Sequence, residues 1–310
     1  MSFKPNINLF IVGAAKSGTT SLYNYLIQHP DVFFPKVKEP NFYSDIESED
    51  PLAYKRPKKG MFYHNKVIKN REVYYSLYKE ANNFKILGDA SPSYLWDKGA
   101  AKKIHTDFPK AKILIILRNP IERTFSHYLM NLKGGIEKDS NALRAFKRDE
   151  KIIRKVWGDG KVLLYKELGL YSRQVQSYFE IFGKENVKVM IYEEFFHDTD
   201  IGLSKILAFL DLPNNYTFNT ETIHNTFSVP KNDFAKLLIR LKSKMSFLKG
   251  FFPNNSKVFI NKTVLFKPSK KPKMNDEVRV YLQNIFKKDI EALEKVLEKD
   301  LGIWKETFIH

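Results

Sequence analysis

Between Gly13 and Ser21 the chain reads Gly-Ala-Ala-Lys-Ser-Gly-Thr-Thr-Ser, with an ammonium at Lys16 and hydroxyls at Ser17, Thr19, Thr20 and Ser21. Gly18 and its small neighbours let a ligand approach the backbone closely. If a helix starts here, its free N–H groups point at one spot and carry positive partial charge. By its chemistry the stretch is a phosphate cradle. It is not the Walker A loop, in which the lysine follows the last glycine; here Lys16 precedes Gly18. It also lacks the GxGxxG spacing of dinucleotide folds. An ordinary tight turn between strand and helix has a similar composition, so the stretch alone does not decide.

A second grip lies further along. Arg118 closes the apolar run Lys112–Leu117 (KILIIL), and Ser126 follows eight residues later. Eight residues are about two helical turns. Arginine suits bidentate phosphate contact. Two separate phosphate grips imply a ligand with two phosphate groups.

The elements that must position these residues follow from hydropathy. Residues 6–12 (NINLFIV) read as a buried strand, and Leu22, Tyr25 and Leu26 recur at helical spacing after the glycine turn. The run 112–117 is a second strand, and Pro120 suits the first turn of the helix after it. A helix around Tyr171–Phe182 precedes a third strand, Val187–Tyr192. Phe234, Leu237, Leu238, Leu241, Met245 and Leu248 form a helical stripe that suits core packing. Asp276–Leu301 reads as a long amphipathic helix, with Trp304 closing the core. Segments 45–75 and 250–276 lack a clean period and read as irregular loops over the site. Strands alternating with helices predict an α/β fold: one domain over 1–310, with a central parallel sheet flanked by helices. Ligands bind such sheets at the carboxyl ends of the strands.

Composition narrows the chemistry. The chain has 310 residues and no cysteine, which excludes thiolate metal sites, disulfides and a cysteine nucleophile. Its seven histidines are scattered without ligand spacing, so no metal site is expected. The net charge is +17. Lys231–Lys273 holds 12 Lys/Arg against one acid, Asp233. Such a patch attracts polyanions, though lysine richness also serves solubility. No nucleic-acid module is recognisable, so no nucleic-acid partner is expected. The apolar run at Leu9–Ala15 is too short to span a membrane and leads into Lys16 rather than a cleavage site. The expectation is a cytoplasmic protein without a transmembrane segment. Its oligomeric state is left open.

Two stretches resemble the sulfotransferases that use 3′-phosphoadenosine 5′-phosphosulfate (PAPS). KSGTTSL (Lys16–Leu22) resembles that family's loop for the 5′-phosphosulfate, and LRNPIERTFSHY (Leu117–Tyr128) its 3′-phosphate segment, with Arg118 and Ser126 at the binding positions. The resemblance implies a P-loop-like sulfotransferase fold, PAPS as donor, 3′-phosphoadenosine 5′-phosphate (PAP) as product, and no metal. HPDVFFPKVKEPNFYSD (His29–Asp45) resembles the glycan-sulfating branch, which places the general base on Glu39. It implies a hydroxyl acceptor on a glycan or glycolipid. Tyr192 of YEEF, Thr226 and Phe227 of HNTFSV, and Lys270 and Lys271 of KPSKKPK fall at further nucleotide positions.

The chain also departs from the animal heparan sulfate enzymes. Their Glu-Lys-Thr-Pro-like stretch is Asp89-Ala90-Ser91-Pro92 here, without the lysine, and Asn41 replaces their histidine. A bacterial-type relative with another acceptor fits these changes, such as a small natural product, a lipid alcohol or an amine. Asp89 can orient Lys16 or the acceptor, or cap Ser91-Pro92. Ser93 and Tyr94 can touch substrate or simply pack, and Phe42 reads as pocket wall. A kinase is disfavoured by the misplaced lysine and the missing metal carboxylate. A non-enzymatic nucleotide- or polyanion-binding protein is the reading from another class.

Overall fold

The structure is a computed structural model that describes residues 3–45, 68–134, 136–149, 164–221, 228–230, 266–268 and 271–305. In chain order it runs β1 (Leu9–Gly13), α1 (Thr19–Leu26), β2 (Val32–Phe33), α2 (Arg71–Ser76), β3 (Ile86–Ala90), α3 (Ala100–Asp107), β4 (Lys112–Leu117) and α4 (Pro120–Lys133). It continues through α5 (Ala142–Asp149), α6 (Ser172–Phe182), β5 (Val187–Ile191), α7 (Tyr192–His197) and α8 (Thr199–Phe209). The short strands β6 (Ser228–Pro230) and β7 (Phe266–Pro268) and the helices α9 (Asp276–Leu297) and α10 (Gly302–Lys305) complete it.

The central sheet has five strands in the order β2-β3-β1-β4-β5, all pairs parallel. Strand side chains alternate between faces, and the core divides accordingly. Phe10, Val12, Ile113, Ile115 and Leu117 pack on one face with residues of α3, α4, α6 and α9. Leu9, Ile11, Leu114 and Ile116 pack on the other with residues of α1 and α8. Both faces are covered, which is why β1 and β4 read as unbroken apolar runs rather than alternating ones.

Several boundaries differ from the sequence reading. The first strand begins at Leu9 rather than Asn6. At its entrance the Asn8 side chain bonds Leu87 N and Lys85 O, both at 2.8 Å. The strand read as 187–192 stops at Ile191, and Tyr192 opens α7, whose first turn carries Glu193 and Glu194. The last long helix ends at Leu297, not Leu301. Glu298 turns left-handed (φ 51°), and Glu294 Oε1 accepts Leu301 N at 2.8 Å. The segment 45–75, read as loop, contains most of α2, started by Asn70 accepting from Val73 N. The segment 250–276 contains β7, antiparallel to β6. The helical stripe at 234–248 lies outside the described residues.

Candidate active site

The chain leaves β1 toward β3 and β2 on one side and toward β4 and β5 on the other. A crevice opens outside the strand ends at such a switch point. The turns after β1 and β4 are neighbours there: Ala14 N donates to Ile116 O at 2.8 Å. The two phosphate grips named above therefore lie side by side.

The first grip starts α1. Gly18 is its N-cap, in a left-handed conformation (φ 87°), and no side chain caps the helix. The first-turn N–H groups are thus left for a ligand. A Cβ at Gly18 would lie 2.6 Å from the Phe196 ring and 3.1 Å from Tyr192. Glycine is required here for both φ and space. Lys16 is also left-handed (φ 71°), an uncommon state for a residue with a Cβ. Ser17, Thr19 and Ser21 are buried and Thr20 is half-buried.

The second grip starts α4. Asn119 caps it by accepting from Ile121 N, and Pro120 takes the first helical position. Arg118 lies over the Tyr192 ring at 4.7 Å, and its Nη1 approaches Lys16 O at 3.5 Å. Tyr171 OH donates to Arg118 O at 3.1 Å. The Arg118 Nε is buried without a protein acceptor. Tyr192 stands between the grips, its ring 4.5 Å from that of Phe196.

Spacings of three, four and three residues put Arg123, Ser126, Met130 and Lys133 along one side of α4. That side runs past Lys16, whose Nζ donates to Met130 Sδ at 3.4 Å. A thioether is a weak acceptor for an ammonium. Burial, and then the charges of Arg118, Arg123 and Lys133, pull the Lys16 pKa from 10.5 down to about 8. Glu39 opposes the shift. A group of cations at a helix start, with a buried guanidinium nitrogen unpartnered, fits a ligand carrying phosphates.

Glu39 is on the same ground. Its backbone is left-handed (φ 57°), as is that of Asn41 (φ 53°). Lys38 lies between it and the loop: Lys38 Nζ is 3.2 Å from Glu39 Oε1 and donates to Thr20 Oγ1 at 2.5 Å. A buried polar network holds the turn. Asp89, at the end of β3, accepts from Tyr74 OH, Tyr94 OH and Ser91 Oγ at 2.7–2.8 Å. Ser91 Oγ accepts Asn41 N at 3.1 Å, Ser93 Oγ donates to Asn41 Oδ1 at 2.6 Å, and Asn41 Nδ2 donates to Glu39 O at 2.6 Å. Burial pushes the Asp89 pKa up to about 6 against its hydroxyl donors, and the nearby Glu39 charge adds to the rise.

The structure therefore brings Lys16, Ser17, Gly18, Thr19, Thr20, Ser21, Arg118, Ser126, Tyr192 and Glu39 to one edge of the sheet. Asp89, Ser93 and Tyr94 stand behind the Glu39 turn. Of the alternatives for Asp89, the contact made is to Ser91; the Lys16 ammonium meets Met130 instead. Phe42 stacks on Tyr74 with ring centroids 4.4 Å apart, inside an aromatic cluster with Tyr43. Lys271 binds Glu122 Oε2 at 2.9 Å, on the first turn of α4, and covers Phe125. Thr226, Phe227 and Lys270 lie outside the described residues. Among the described residues no group of three or more His, Asp or Glu is placed to hold a metal ion, and no helix is long and apolar enough to cross a membrane.

Three residues were missed in the sequence. Lys38 directly precedes the candidate base, and Arg123 and Lys133 share the helix side of Ser126. Extending the three-and-four spacing of α4 from Ser126 in both directions would have found the last two.

Known proteins resemble this chain over most of its length. Residues 8–216 match the Sulfotransferase family. Carbohydrate sulfotransferase 15 of Rattus norvegicus is 25% identical over 244 residues, 66% of this chain and 44% of that protein. Bifunctional heparan sulfate N-deacetylase/N-sulfotransferase 1 of Caenorhabditis briggsae is 25% identical over 297 residues, 94% of this chain and 30% of that protein. The chain thus spans less than half the length of these two relatives. The crystal structure of a sulfotransferase from Alicyclobacillus acidocaldarius superposes with a TM-score of 0.74 at 28% identity, covering 97% of this chain and all of that one. The family match runs from β1 through the turns after β1 and β4 to the segment beyond α8, and on that span the chain belongs to the Sulfotransferase family.

Proposed function

We propose that the chain transfers the sulfuryl group of PAPS to a hydroxyl of a carbohydrate or glycolipid. The observation that carries the reading is the meeting of two cationic turns with one carboxylate. Lys16 and the start of α1 suit a 5′-phosphosulfate, and Arg118 with Ser126 suits a 3′-phosphate. Tyr192, between them, holds the Arg118 guanidinium over its ring. Glu39 stands beside the first grip, where it can take the proton of an acceptor hydroxyl. PAPS supplies an activated sulfuryl group when bound. Lys16 and the N–H groups of α1 are placed to stabilise the charge that grows on the leaving phosphate oxygen. The relatives named for carbohydrate and heparan sulfate support a glycan-type acceptor.

Calorimetric titration of the purified protein with PAP, beside ATP, tests the donor site. Binding of PAP that is lost in Lys16→Ala and Arg118→Ala, with weak binding of ATP, supports the reading. Absence of PAP binding by the folded protein overturns it. A screen of glycan and small hydroxyl acceptors with labelled PAPS then tests the acceptor class.

A further inference from the structure

Resting on the reading just given, we infer that Lys38 is a second catalytic cation, one that binds the transferred sulfuryl group rather than the nucleotide. Its placement carries the argument. Thr20 is the second residue of α1, at the phosphate grip, and Glu39 is the carboxylate beside that grip. The Lys38 ammonium touches both, at 2.5 Å and 3.2 Å. In an in-line transfer the moving group lies between leaving oxygen and attacking oxygen. Here it would lie between the start of α1 and Glu39, which is where Lys38 reaches.

The side chain is held rather than loose. Lys38 Nζ sits 6.0 Å from the Tyr23 ring centroid, within cation–π range. Tyr23 OH in turn donates to Pro35 O at 3.3 Å, which ties the ring to the segment that carries Lys38. The Lys38 and Glu39 side chains remain 26% and 30% exposed, so ligands can reach both. An exposed ion pair contributes little to stability. An ammonium has three donors, and Thr20 and Glu39 account for two positions around it.

The step balances without a further reactant. The acceptor oxygen bonds to sulfur, and the bond from sulfur to the 5′-phosphate oxygen breaks, its electron pair staying on the phosphate. The hydroxyl proton passes to the Glu39 carboxylate. The third donor of Lys38 meets a sulfuryl oxygen as soon as PAPS is bound, and neutralisation of Glu39 then frees another donor for the same group.

PAPS and PAP differ only in that sulfuryl group, so the pair isolates the role. Each is titrated without acceptor into the wild type, Lys38→Ala and Lys38→Arg, with melting curves confirming that the variants fold. The expected result is that Lys38→Ala weakens PAPS binding by about tenfold, the size of one charge-assisted hydrogen bond, and PAP binding by less than about twofold. Lys38→Arg should keep most of the PAPS affinity. Equal loss for both ligands, or no loss for either, overturns the inference. Failure of the wild type to bind either one overturns the nucleotide reading itself, and this inference with it.

Discussion

At the scale of single residues, the site turns on where charge is disfavoured. Lys16 keeps a proton less readily than an exposed lysine because burial and three neighbouring cations oppose its charge. A bound phosphate reverses that field and raises its pKa. Below about pH 8 the group is already charged and binding moves no proton. Above it, binding must take a proton up, so affinity for PAP falls as pH rises through about 8 and beyond. Calorimetry at pH 8.5 in buffers of different ionisation enthalpy should report uptake of a fraction of a proton, absent in Lys16→Arg, which keeps the charge but holds its proton throughout this range. Glu39 makes a different prediction. Glu39→Gln keeps the shape of the turn but cannot accept a proton. Its kcat should fall by about 10²–10⁴, the usual weight of a general base, with PAP affinity unchanged. Loss of PAP binding in that variant would place Glu39 in the nucleotide site instead.

At the scale of elements, the site is made of helix starts and strand ends. Gly18 shows the constraint most directly. Gly18→Ala would force a left-handed alanine and push a methyl into the Phe196 ring. Such strain costs about 1–3 kcal/mol. Both the melting temperature and PAP affinity should drop, the affinity by more than about tenfold. These elements were legible in the sequence because their signals are local. β1, the glycine turn and α1 follow one another directly, as do β4, Arg118, Asn119-Pro120 and α4. The support of Glu39 was not legible. Asn41, Ser91, Ser93 and Asp89 come from two segments some fifty residues apart and meet only because β3 pairs beside β1. The helix α2 escaped for another reason. It is short, about one and a half turns, so its clearest local marks are the cap at Asn70 and the acid at Glu72. At the far end, the left-handed turn at Glu298 stops α9 although Leu301 continues its apolar pattern.

At the scale of the whole molecule, the end of the described chain is packed against the beginning of α4. Trp304 is fully buried, and its Nε1 donates to Glu193 Oε2 at 2.8 Å. The other oxygen of Glu193 accepts Asn119 N at 3.0 Å, next to Arg118. Removing the large side chain leaves a cavity and an unpaired carboxylate oxygen. Trp304→Ala should destabilise the fold by about 3–5 kcal/mol in denaturant titration. Trp304→Phe should cost less and loosen the Arg118 grip through Glu193, seen as weaker PAP binding. The same chain of contacts has an optical consequence. Trp304 lies 6.2 Å from the Tyr171 ring, whose hydroxyl holds the carbonyl of Arg118. Its indole is an emitter placed two contacts from the Arg118 grip. Filling that grip should change the intrinsic fluorescence of the protein, which gives a label-free signal for following donor binding in real time.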